Sequence, residues 1–592
     1  MKRDKVPKLS SGGVPAMSLV DGQPAAAEPR LPLRIPKDAA KDMLLLAAIW
    51  VASLFVVNPV GDFPLNDDWS FGLAVKRLLQ TGDFRPTGWA SMPLITQTLW
   101  GSLFCLPAGF SFNALRLSTL FLSLCSILGV YLLVRQVHPS RLLAAFTALT
   151  LGFNPIYYVL SNTFMTDVPF TSFLLAAAWF FSRNLRGGTD FDLLCGLACA
   201  LAATLCRQLG LAVPMAFAAC LLWSRGGAAR WVIRAILPLA VCLGALLALQ
   251  HWLQVTGRLP ALYSLRNQIL FSELRSPSRL VPSLVKHVGT ALLYLGWFSL
   301  PVMVLVLPVA AVVRRNRRAF IVAGCAGGSF VFGSVIVLAL TNGPLRTAGN
   351  LVMAQGFGPL TLRDVYMLNL PHLPTLGKAF WLALTAASVL GGALLVGAAA
   401  GAAISGWPFL KPTRIRIRAD QAAGIFFLLC AGIYLFPILV IGGWDRYYIP
   451  ALPFLLAGIA AVSAGSWRGR SQARLALALL LLGSLSLYAV FGTRDYLAWN
   501  RVRWTALNDL LAGGKVTAAD VDGGFEFNGW YLYDAAYKEK PGKSWWWVAN
   551  DSYLLAFGEI PGWSAIKEYR YAHWLPPYTG KIFVLKKESP QN

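Results

Sequence analysis

Long apolar runs, separated by short polar connections, fill the chain from residue 43 to residue 492. Most runs are about 20 residues long, which is enough for a helix to cross a hydrocarbon core of about 30 Å. The strands of an outer-membrane barrel would instead alternate apolar and polar residues over about ten positions. The pattern therefore predicts a polytopic α-helical membrane protein. The same pattern predicts about thirteen transmembrane helices, at 43–57, 112–134, 142–160, 164–182, 191–206, 208–223, 232–253, 288–313, 319–341, 379–404, 421–442, 447–465 and 475–492.

The connection between the first two predicted spans, residues 58–111, is unusually long and is called the first loop below. It contains two amphipathic stretches, at about 69–80 and 93–106. Such stretches are typical of helices that lie in the membrane interface. We therefore expect interfacial helices in this loop, where they could wall a cavity open to the lipid. The connection at 342–378 is apolar but interrupted, which fits either a second cavity wall or a plain re-entrant loop.

The two ends of the chain differ from the apolar part. Residues 1–42 are rich in Pro, Ala, Lys and Arg without apolar periodicity, which predicts a disordered cytoplasmic tail. Residues 493–592 contain many charged and aromatic residues and short alternating runs. This composition predicts a small C-terminal α/β or α+β domain with its own core, beginning with a helix at about 500–512. The predicted domains are therefore 1–42, 43–492 and 493–592.

Composition and charge agree with a membrane protein. Charged residues make up only 13% of the chain, against about 25% in a soluble domain, which excludes an ordinary soluble enzyme. The formal net charge is +25, and much of it lies in short clusters between apolar runs, such as 314–318 and 411–418. Basic connections are typical of the cytoplasmic side. Their alternation predicts a cytoplasmic N-terminus, an odd number of spans, and a periplasmic or extracellular C-terminal domain, and it argues against nucleic-acid binding.

Three carboxylates close to predicted spans are candidates for chemistry. Asp67 and Asp68 follow the first span, and Asp167 opens the fourth, on the same side of the membrane. A carboxylate at the bilayer centre costs about 2.5–3.5 kcal/mol on insertion scales, so acids near spans are functional candidates by default. They could act as a general base or bind a cation. The alternative interpretations are loop solvation for Asp67 or Asp68 and a helix cap for Asp167.

Basic and aromatic side chains near the same interface are candidates for binding an anion. Arg207 lies between two predicted spans of about 16 residues, short enough to hold it slightly below the outer surface. Its guanidinium matches a phosphate group, although it could equally pair with one of the acids. Arg446 opens a later span from the same side and offers a second cation. Tyr447 beside it fits either a hydrogen-bond donor or an interfacial anchor.

The order and spacing of these residues resemble a known family. The chain is similar to the GT-C glycosyltransferases, in the branch of the protein O-mannosyltransferases and the lipid A aminoarabinose transferase, over residues 43 to about 465. The resemblance rests on three motifs: the acidic pair Asp67-Asp68, the acid Asp167 in Thr-Asp-Val-Pro-Phe, and Arg446-Tyr-x-x-Pro-x-x-Pro at the start of a late span. The predicted span count and the C-terminal outer domain also resemble the bacterial members.

The resemblance implies a specific reaction. A single sugar would move from a polyprenyl-phosphate donor to an envelope acceptor (a glycan, a lipid or a protein) at the outer face of the bacterial inner membrane, with inversion at the anomeric carbon. Asp67 or Asp68 would be the general base, and Arg207 and Arg446 would stabilise the leaving phosphate. The lipid-linked sugar would be a cosubstrate, and no tightly bound cofactor is implied. A divalent cation held by Asp67, Asp68 and Asp167 is left open.

One departure from the family pattern concerns the second interfacial stretch. Relatives often carry a lysine in a Lys-Pro-Pro-like sequence, whereas this chain has Ala90-Ser91-Met92-Pro93. We expect Arg85 or Arg207 to supply the phosphate contact instead. The main alternative function is a lipid-linked sugar flippase or transporter without transfer chemistry, and a non-enzymatic scaffold is a third.

Overall fold

A computed structural model describes residues 37–306, 316–340, 349–404, 419–463 and 471–588 of the chain. The α-helices are α1 Lys37–Val57, α2 Asp68–Thr81, α3 Ile95–Cys105, α4 Phe112–Val137, α5 Arg141–Gly152, α6 Pro155–Ser161, α7 Asp167–Leu185, α8 Asp190–Cys206, α9 Ala212–Arg225, α10 Ala229–Val255, α11 Ala261–Leu274, α12 Pro277–Val306, α13 Arg317–Leu340, α14 Arg363–Tyr366, α15 Lys378–Ile404, α16 Ala419–Ile441, α17 Leu452–Ser463, α18 Gln472–Ala512 and α19 Phe525–Leu532. The 3₁₀ helices are Gln208–Leu211, Asp445–Ala451 and Ala518–Asp520. The strands are β1 Val352–Met353, β2 Gly356–Phe357, β3 Val521–Asp522, β4 Tyr553–Ala556, β5 Trp563–Trp574 and β6 Pro577–Lys587.

The helices confirm a polytopic membrane protein, but the predicted count of thirteen spans is not confirmed. Within the described ranges, ten helices are long and apolar enough to cross a membrane, or eleven if α5 and α6 form one broken span. The spans predicted at 164–182 and 191–206 appear as α7 and α8, which have 19 and 17 residues. These lengths lie at the short end for a crossing helix.

The span predicted at 142–160 is broken into two helices. The axes of α5 and α6 differ by 64°. The side chain of Asn154 accepts hydrogen bonds from the backbone N–H groups of Ile156 and Tyr157, and Pro155 occupies the first turn of α6. A capping asparagine followed by proline starts a new helix, because proline has no N–H to continue the previous one. The break therefore follows from the local sequence.

The first helix begins at Lys37, so the boundary predicted after residue 42 is wrong by a few residues. Asp42 lies on this additional turn, where its carboxylate accepts hydrogen bonds of 2.6 Å from Tyr131 Oη and from Arg141 Nη2. These contacts anchor a polar segment to α4 and α5, which composition alone could not indicate. The rest of the predicted tail, residues 1–36, lies outside the described residues, as do the basic clusters at 411–418 and at Arg314 and Arg315.

The first loop folds as predicted into two helices outside the spans. Helices α2 and α3 match the stretches predicted at 69–80 and 93–106. A further helix, α11, lies in a connection for which the sequence predicted no helix. The connection at 342–378 is described from residue 349 onward and contains the short antiparallel pair β1–β2 and helix α14.

The C-terminal region, residues 513–588, packs against the first loop. Its four strands form one sheet in the order β3-β4-β6-β5, in which β3 and β4 are parallel and the other pairs antiparallel. With α19 this confirms a small α+β arrangement. The buried indole of Trp69 from α2 lies against α19, where a Cβ on Gly529 would be only 2.3 Å from the ring. Phe525 and Trp547 contact the same indole, with ring centroids 5.8 and 5.1 Å away.

One helix joins the last span to this region. α18 has 41 residues and runs without interruption from Gln472 to Ala512. The helix predicted at 500–512 is therefore the end of the span predicted at 475–492. The boundary predicted at residue 493 falls inside a helix, because charged residues such as Arg494 and Asp495 enter the sequence of α18 without ending the helix.

Candidate active site

Asp67 lies at the turn that starts α2 and is partly buried, with 16% of its side chain exposed. Its Oδ1 accepts a 2.9 Å hydrogen bond from the indole Nε1 of Trp89. Its Oδ2 lies 3.2 Å from Nη2 of Arg446. The preceding residue, Asn66, has a φ of 55°, in the left-handed region that asparagine tolerates better than most side chains. This turn places the Asp67 carboxylate between the indole and the guanidinium.

Asp68 has a different environment from its neighbour. Its side chain is 1% exposed, and its two oxygens accept hydrogen bonds from the backbone N–H groups of Phe164 (2.9 Å) and Leu65 (3.3 Å). Burial raises the pKa of this carboxyl to about 7. Asp68 therefore joins the first loop to the turn before α7, and its carboxylate has no open side toward a substrate.

Asp167 is the first residue of α7 and is fully buried. The cap position belongs to Thr166, and no side chain caps the helix there. The Oδ1 of Asp167 accepts a 2.8 Å hydrogen bond from Nη1 of Arg207, and its Oδ2 receives no hydrogen bond from any residue that the structure describes. The helix-cap interpretation of Asp167 is therefore wrong, and Arg207 does pair with an acid.

Arg446 connects the two acids. One guanidinium nitrogen lies 3.2 Å from the carboxylate of Asp67, and the other lies 3.8 Å from Oδ2 of Asp167. The ring of Tyr447 lies near both arginines, with its centroid 5.4 Å from the guanidinium carbon of Arg207 and 5.5 Å from that of Arg446. Both distances suit cation–π contacts. We call Asp67, Asp167, Arg207, Arg446 and Tyr447 the charged cluster.

A cavity of about 140 Å³ lies directly beside the charged cluster. Arg207, Gln208 and Tyr447 line one part of it. The remaining lining is mostly apolar and comes mainly from the first loop, the 3₁₀ helix Gln208–Leu211, α11 and α16, with Met92, Leu209, Leu270, Pro437, Ile438 and Ile441 among its members. The space is several times that needed for one water molecule. The guanidinium group of Arg207 and an apolar wall thus meet at one place, and Arg446 is joined to Arg207 through Asp167.

Arg85 and the Ala90–Pro93 stretch complete the predicted site residues. Arg85 is exposed, and among the described residues no hydrogen bond or ion pair connects its side chain to the charged cluster. Ser91 does reach the cavity, and its carbonyl oxygen accepts a 3.1 Å hydrogen bond from Nε2 of Gln208. Of the two arginines expected to replace the family lysine, only Arg207 lies at the cavity.

Asp445 is a residue whose role the sequence did not indicate. It is fully buried, and its Oδ2 accepts hydrogen bonds from the backbone N–H groups of Asn350, Leu351 and Val352, at 3.3, 3.0 and 2.9 Å. Its Oδ1 accepts a 2.8 Å bond from the N–H of Arg446. Its position beside Arg446 in one motif was the only signal available. Trp89, the partner of Asp67, carried no sequence signal.

The carboxylates do not form a cation site. Asp67 and Asp167 face arginines, and both oxygens of Asp68 accept bonds from backbone amides. Over the ranges that the structure describes, no group of three or more His, Cys, Asp or Glu side chains is placed to hold a metal ion. The donor set therefore fits an anion approaching the arginines better than a divalent cation between the acids.

Comparison with known proteins gives one family match. Residues 92–253 match the dolichyl-phosphate-mannose-protein mannosyltransferase family. This segment includes Asp167 and Arg207 but neither Asp67 nor Arg446. No curated protein sequence matches the chain at a significant level.

Solved structures with similarity to the chain include three glycosyltransferases. ArnT from Cupriavidus metallidurans, bound to undecaprenyl phosphate, is 14% identical, with 80% of this chain and 72% of that chain covered and a TM-score of 0.37. The S. cerevisiae protein O-mannosyltransferase Pmt1-Pmt2 complex, bound to the sugar donor, is 17% identical over 37% of this chain and 33% of that chain, with a TM-score of 0.29. The arabinosyltransferase EmbB from Mycobacterium smegmatis is 14% identical over 81% of this chain and 44% of that chain, with a TM-score of 0.32. The match at residues 92–253 confirms the resemblance of this multi-pass membrane protein to the GT-C glycosyltransferases.

Proposed function

We propose that the protein is an inverting glycosyltransferase that moves one sugar from a polyprenyl-phosphate donor to an envelope acceptor at the outer face of a bacterial inner membrane. The observation that carries the proposal is the charged cluster beside an apolar cavity. A lipid-linked phosphosugar combines an apolar tail with an anionic group. This site offers an apolar wall for the tail and, in the cavity lining itself, the guanidinium group of Arg207 for the anion. The family match supports the same class of reaction.

Asp67 is the proposed general base. In the transfer step, the acceptor hydroxyl oxygen bonds to the anomeric carbon while the bond from that carbon to the phosphate oxygen breaks. The hydroxyl proton goes to Asp67, and the bonding electron pair leaves with the polyprenyl phosphate. A single displacement of this kind inverts the anomeric centre. Asp67 fits this role better than Asp68. The side chain of Asp67 is 16% exposed and its carboxylate pairs with Arg446, whereas the side chain of Asp68 is 1% exposed.

Arg207 and Arg446 are the proposed phosphate-binding residues. The leaving phosphate gains negative charge as the sugar departs, and preorganised donors stabilise such charge strongly in a site from which water is excluded. Asp167 contacts both guanidinium groups and is itself inaccessible. In this proposal Asp167 acts through the arginines, which it orients, and the ring of Tyr447 contacts both guanidinium groups.

Mass spectrometry tests the proposal. Lipids, envelope glycans and proteins are compared between cells with the gene, cells without it, and cells carrying Asp67→Asn. We expect one acceptor to lose a single sugar mass in both altered strains, with unused lipid-linked donor accumulating. An unchanged envelope would contradict transfer and favour a flippase. The same conclusion would follow if a lipid-linked intermediate accumulated without the gene but not in cells carrying Asp67→Asn. The acceptor that loses the mass would also identify the sugar.

A further inference from the structure

Glu526 links the C-terminal region to the turn that carries Asp67. Its side chain is fully buried, and its Oε1 accepts a 3.1 Å hydrogen bond from the backbone N–H of Asn66. Its Oε2 accepts bonds from Thr361 Oγ1 (2.6 Å) and from Arg503 Nη1 (2.8 Å). Both oxygens are thus used. Glu526 holds the residue just before Asp67 by its backbone, which fixes the direction in which the turn continues.

Asn350 links the same turn to the segment that carries Arg446. The amide Nδ2 of Asn66 donates a 3.3 Å hydrogen bond to Oδ1 of Asn350. The backbone N–H of Asn350 donates to Oδ2 of Asp445, and Oδ1 of Asp445 accepts a bond from the N–H of Arg446. Hydrogen bonds therefore run from Asn66 to Arg446 without interruption. They end on the residue just before Asp67 and on the backbone of Arg446 itself.

We propose that Asn350 and Glu526 are positioning residues that set the spacing between Asp67 and Arg446. The two side chains come from segments that are 379 residues apart in the sequence, yet their charged groups lie 3.2 Å apart. The inference rests on the proposed function, in which Asp67 takes a proton while Arg446 faces the leaving phosphate. Catalytic groups must be held to within about 0.5 Å by supporting hydrogen bonds. A misplacement of about 1 Å can lower the rate of the chemical step by about 100-fold.

The conformation of Asn66 explains why such support is needed. A φ of 55° is sparsely populated by residues other than glycine, and it persists where surrounding contacts determine it. Glu526 binds the backbone of Asn66, and Asn350 binds its side chain. Without these bonds the turn could relax to a commoner conformation, which would redirect the Asp67 carboxylate.

Three variants test the proposal in the purified full-length protein. Asn350→Leu removes the acceptor at similar size. Asn66→Gly keeps the left-handed φ and removes the donor. The double variant removes both partners of the same hydrogen bond. Asn550→Leu is the matched control, because Asn550 makes an exposed hydrogen bond to Asp520 elsewhere in the C-terminal region.

The readouts are kcat and donor affinity. Transfer is measured with a lipid and envelope extract of cells lacking the gene, which supplies donor and acceptor, and affinity is measured with undecaprenyl phosphate. We expect each single variant to lower kcat by about 10- to 100-fold while the Kd stays within about twofold of the control. The kcat of the double variant should fall no further than that of the more affected single variant, because both changes remove the same hydrogen bond.

Glu526→Gln supplies a second, independent test. Glutamine keeps one acceptor oxygen and the size of the side chain, but it cannot serve Asn66, Thr361 and Arg503 together. We expect kcat to fall with an unchanged Kd, whereas Glu568→Gln, at an exposed ion pair with Lys581, keeps full kcat. Control-level kcat in Asn350→Leu and Glu526→Gln would overturn the inference, and so would an affinity for undecaprenyl phosphate that falls in parallel with kcat. If the wild-type protein itself transferred no sugar, the proposed function would fail first, and the inference would fail with it.

Discussion

Two buried groups of ion pairs stand close together in this protein and differ in access. In the charged cluster, Arg207 lies 2.8 Å from Asp167 and Arg446 lies 3.2 Å from Asp67. The second group is the pair of Arg503 and Glu526, also at 2.8 Å. The cluster borders a cavity of about 140 Å³. The pair has 0% exposure on both side chains.

The difference shows how similar chemistry can serve different purposes. Desolvating two opposite charges costs free energy that their attraction does not always recover, so a buried pair alone is weak evidence for a stabilising role. Glu526 uses both oxygens on partners within the protein. Among the residues that the structure describes, Asp167 keeps one oxygen without a hydrogen bond, whereas an arginine in each group, Arg446 or Arg503, keeps one nitrogen without a partner. The two groups therefore differ in their carboxylates. An unused oxygen in a cluster that borders a cavity favours a ligand site, whereas complete use of a carboxylate favours a structural support.

Removing the proposed base should have the largest effect on the charged cluster. Asp67→Asn keeps the shape of the side chain and the oxygen that accepts from Trp89, but an amide cannot take a proton. We expect transfer to fall by about 1,000-fold, within the range of about 10² to 10⁴ for general bases. Binding of undecaprenyl phosphate should persist. Asp509→Asn, at an exposed ion pair with Lys567, is the control. A variant with a tenth of the wild-type rate would exclude Asp67 as the base.

Replacing the arginines should have the next largest effect. Arg446→Lys and Arg207→Lys keep a positive charge but lose the planar fork that binds phosphate oxygens in pairs. We expect transfer to fall by about 100-fold and donor affinity to weaken as well, since the proposed contact is to the phosphate. Initial rates and titration with undecaprenyl phosphate measure the two effects. Unchanged affinity in both variants would contradict their assignment, and Arg570→Lys on the exposed face of β5 serves for comparison.

Breaking the second group should affect stability. Arg503→Ala leaves the Glu526 carboxylate buried without its cation, and removing one partner of a buried pair costs about 3–5 kcal/mol. The exposed pair of Arg570 and Glu568 is the reference, because such pairs contribute about 0–1 kcal/mol. Thermal unfolding in detergent of Arg503→Ala and Arg570→Ala compares the two. Equal melting temperatures would show that the Arg503 pair is as weak as a surface pair.

The smallest expected effect concerns pH. Burial raises the pKa of Asp68 from 3.8 to about 7. Between these values the folded protein holds more protons at this carboxyl than the unfolded protein, so its contribution to the free energy of unfolding falls as the pH rises. Asp68→Asn should flatten that dependence. Melting temperatures measured at about pH 5 and about pH 8 test it, and an identical slope in both proteins would argue against the raised pKa.

The charged cluster was largely predictable because charges are rare in this chain. With charged residues at 13%, Asp67, Asp167, Arg207 and Arg446 stood out against apolar surroundings, and the structure brings all four together. Adjacent residues at a helix start point about 100° apart, so the different fates of Asp67 and Asp68 depended on what each one faces. The sequence alone does not show which groups surround each of the two carboxylates.

The supporting residues were not predictable for the opposite reason. Asn350 and Glu526 lie outside the spans, where a single polar side chain is ordinary and attracts no attention. Their roles arise from hydrogen bonds to residues more than 200 positions away. The arrangement of the C-terminal sheet, with β3 beside β4, likewise depends on long-range pairing. Periodicity predicts elements, but it does not predict which distant backbone groups they hold.

The uninterrupted helix α18 connects the last predicted span directly to the C-terminal region. At about 1.5 Å per residue its 41 residues extend for about 60 Å, roughly twice the thickness of the hydrocarbon core. Arg503 lies in the C-terminal half of this helix and forms an ion pair with Glu526, which accepts a hydrogen bond from the backbone of Asn66. The helix that carries the last predicted span is therefore connected, through two side chains, to the turn that holds Asp67.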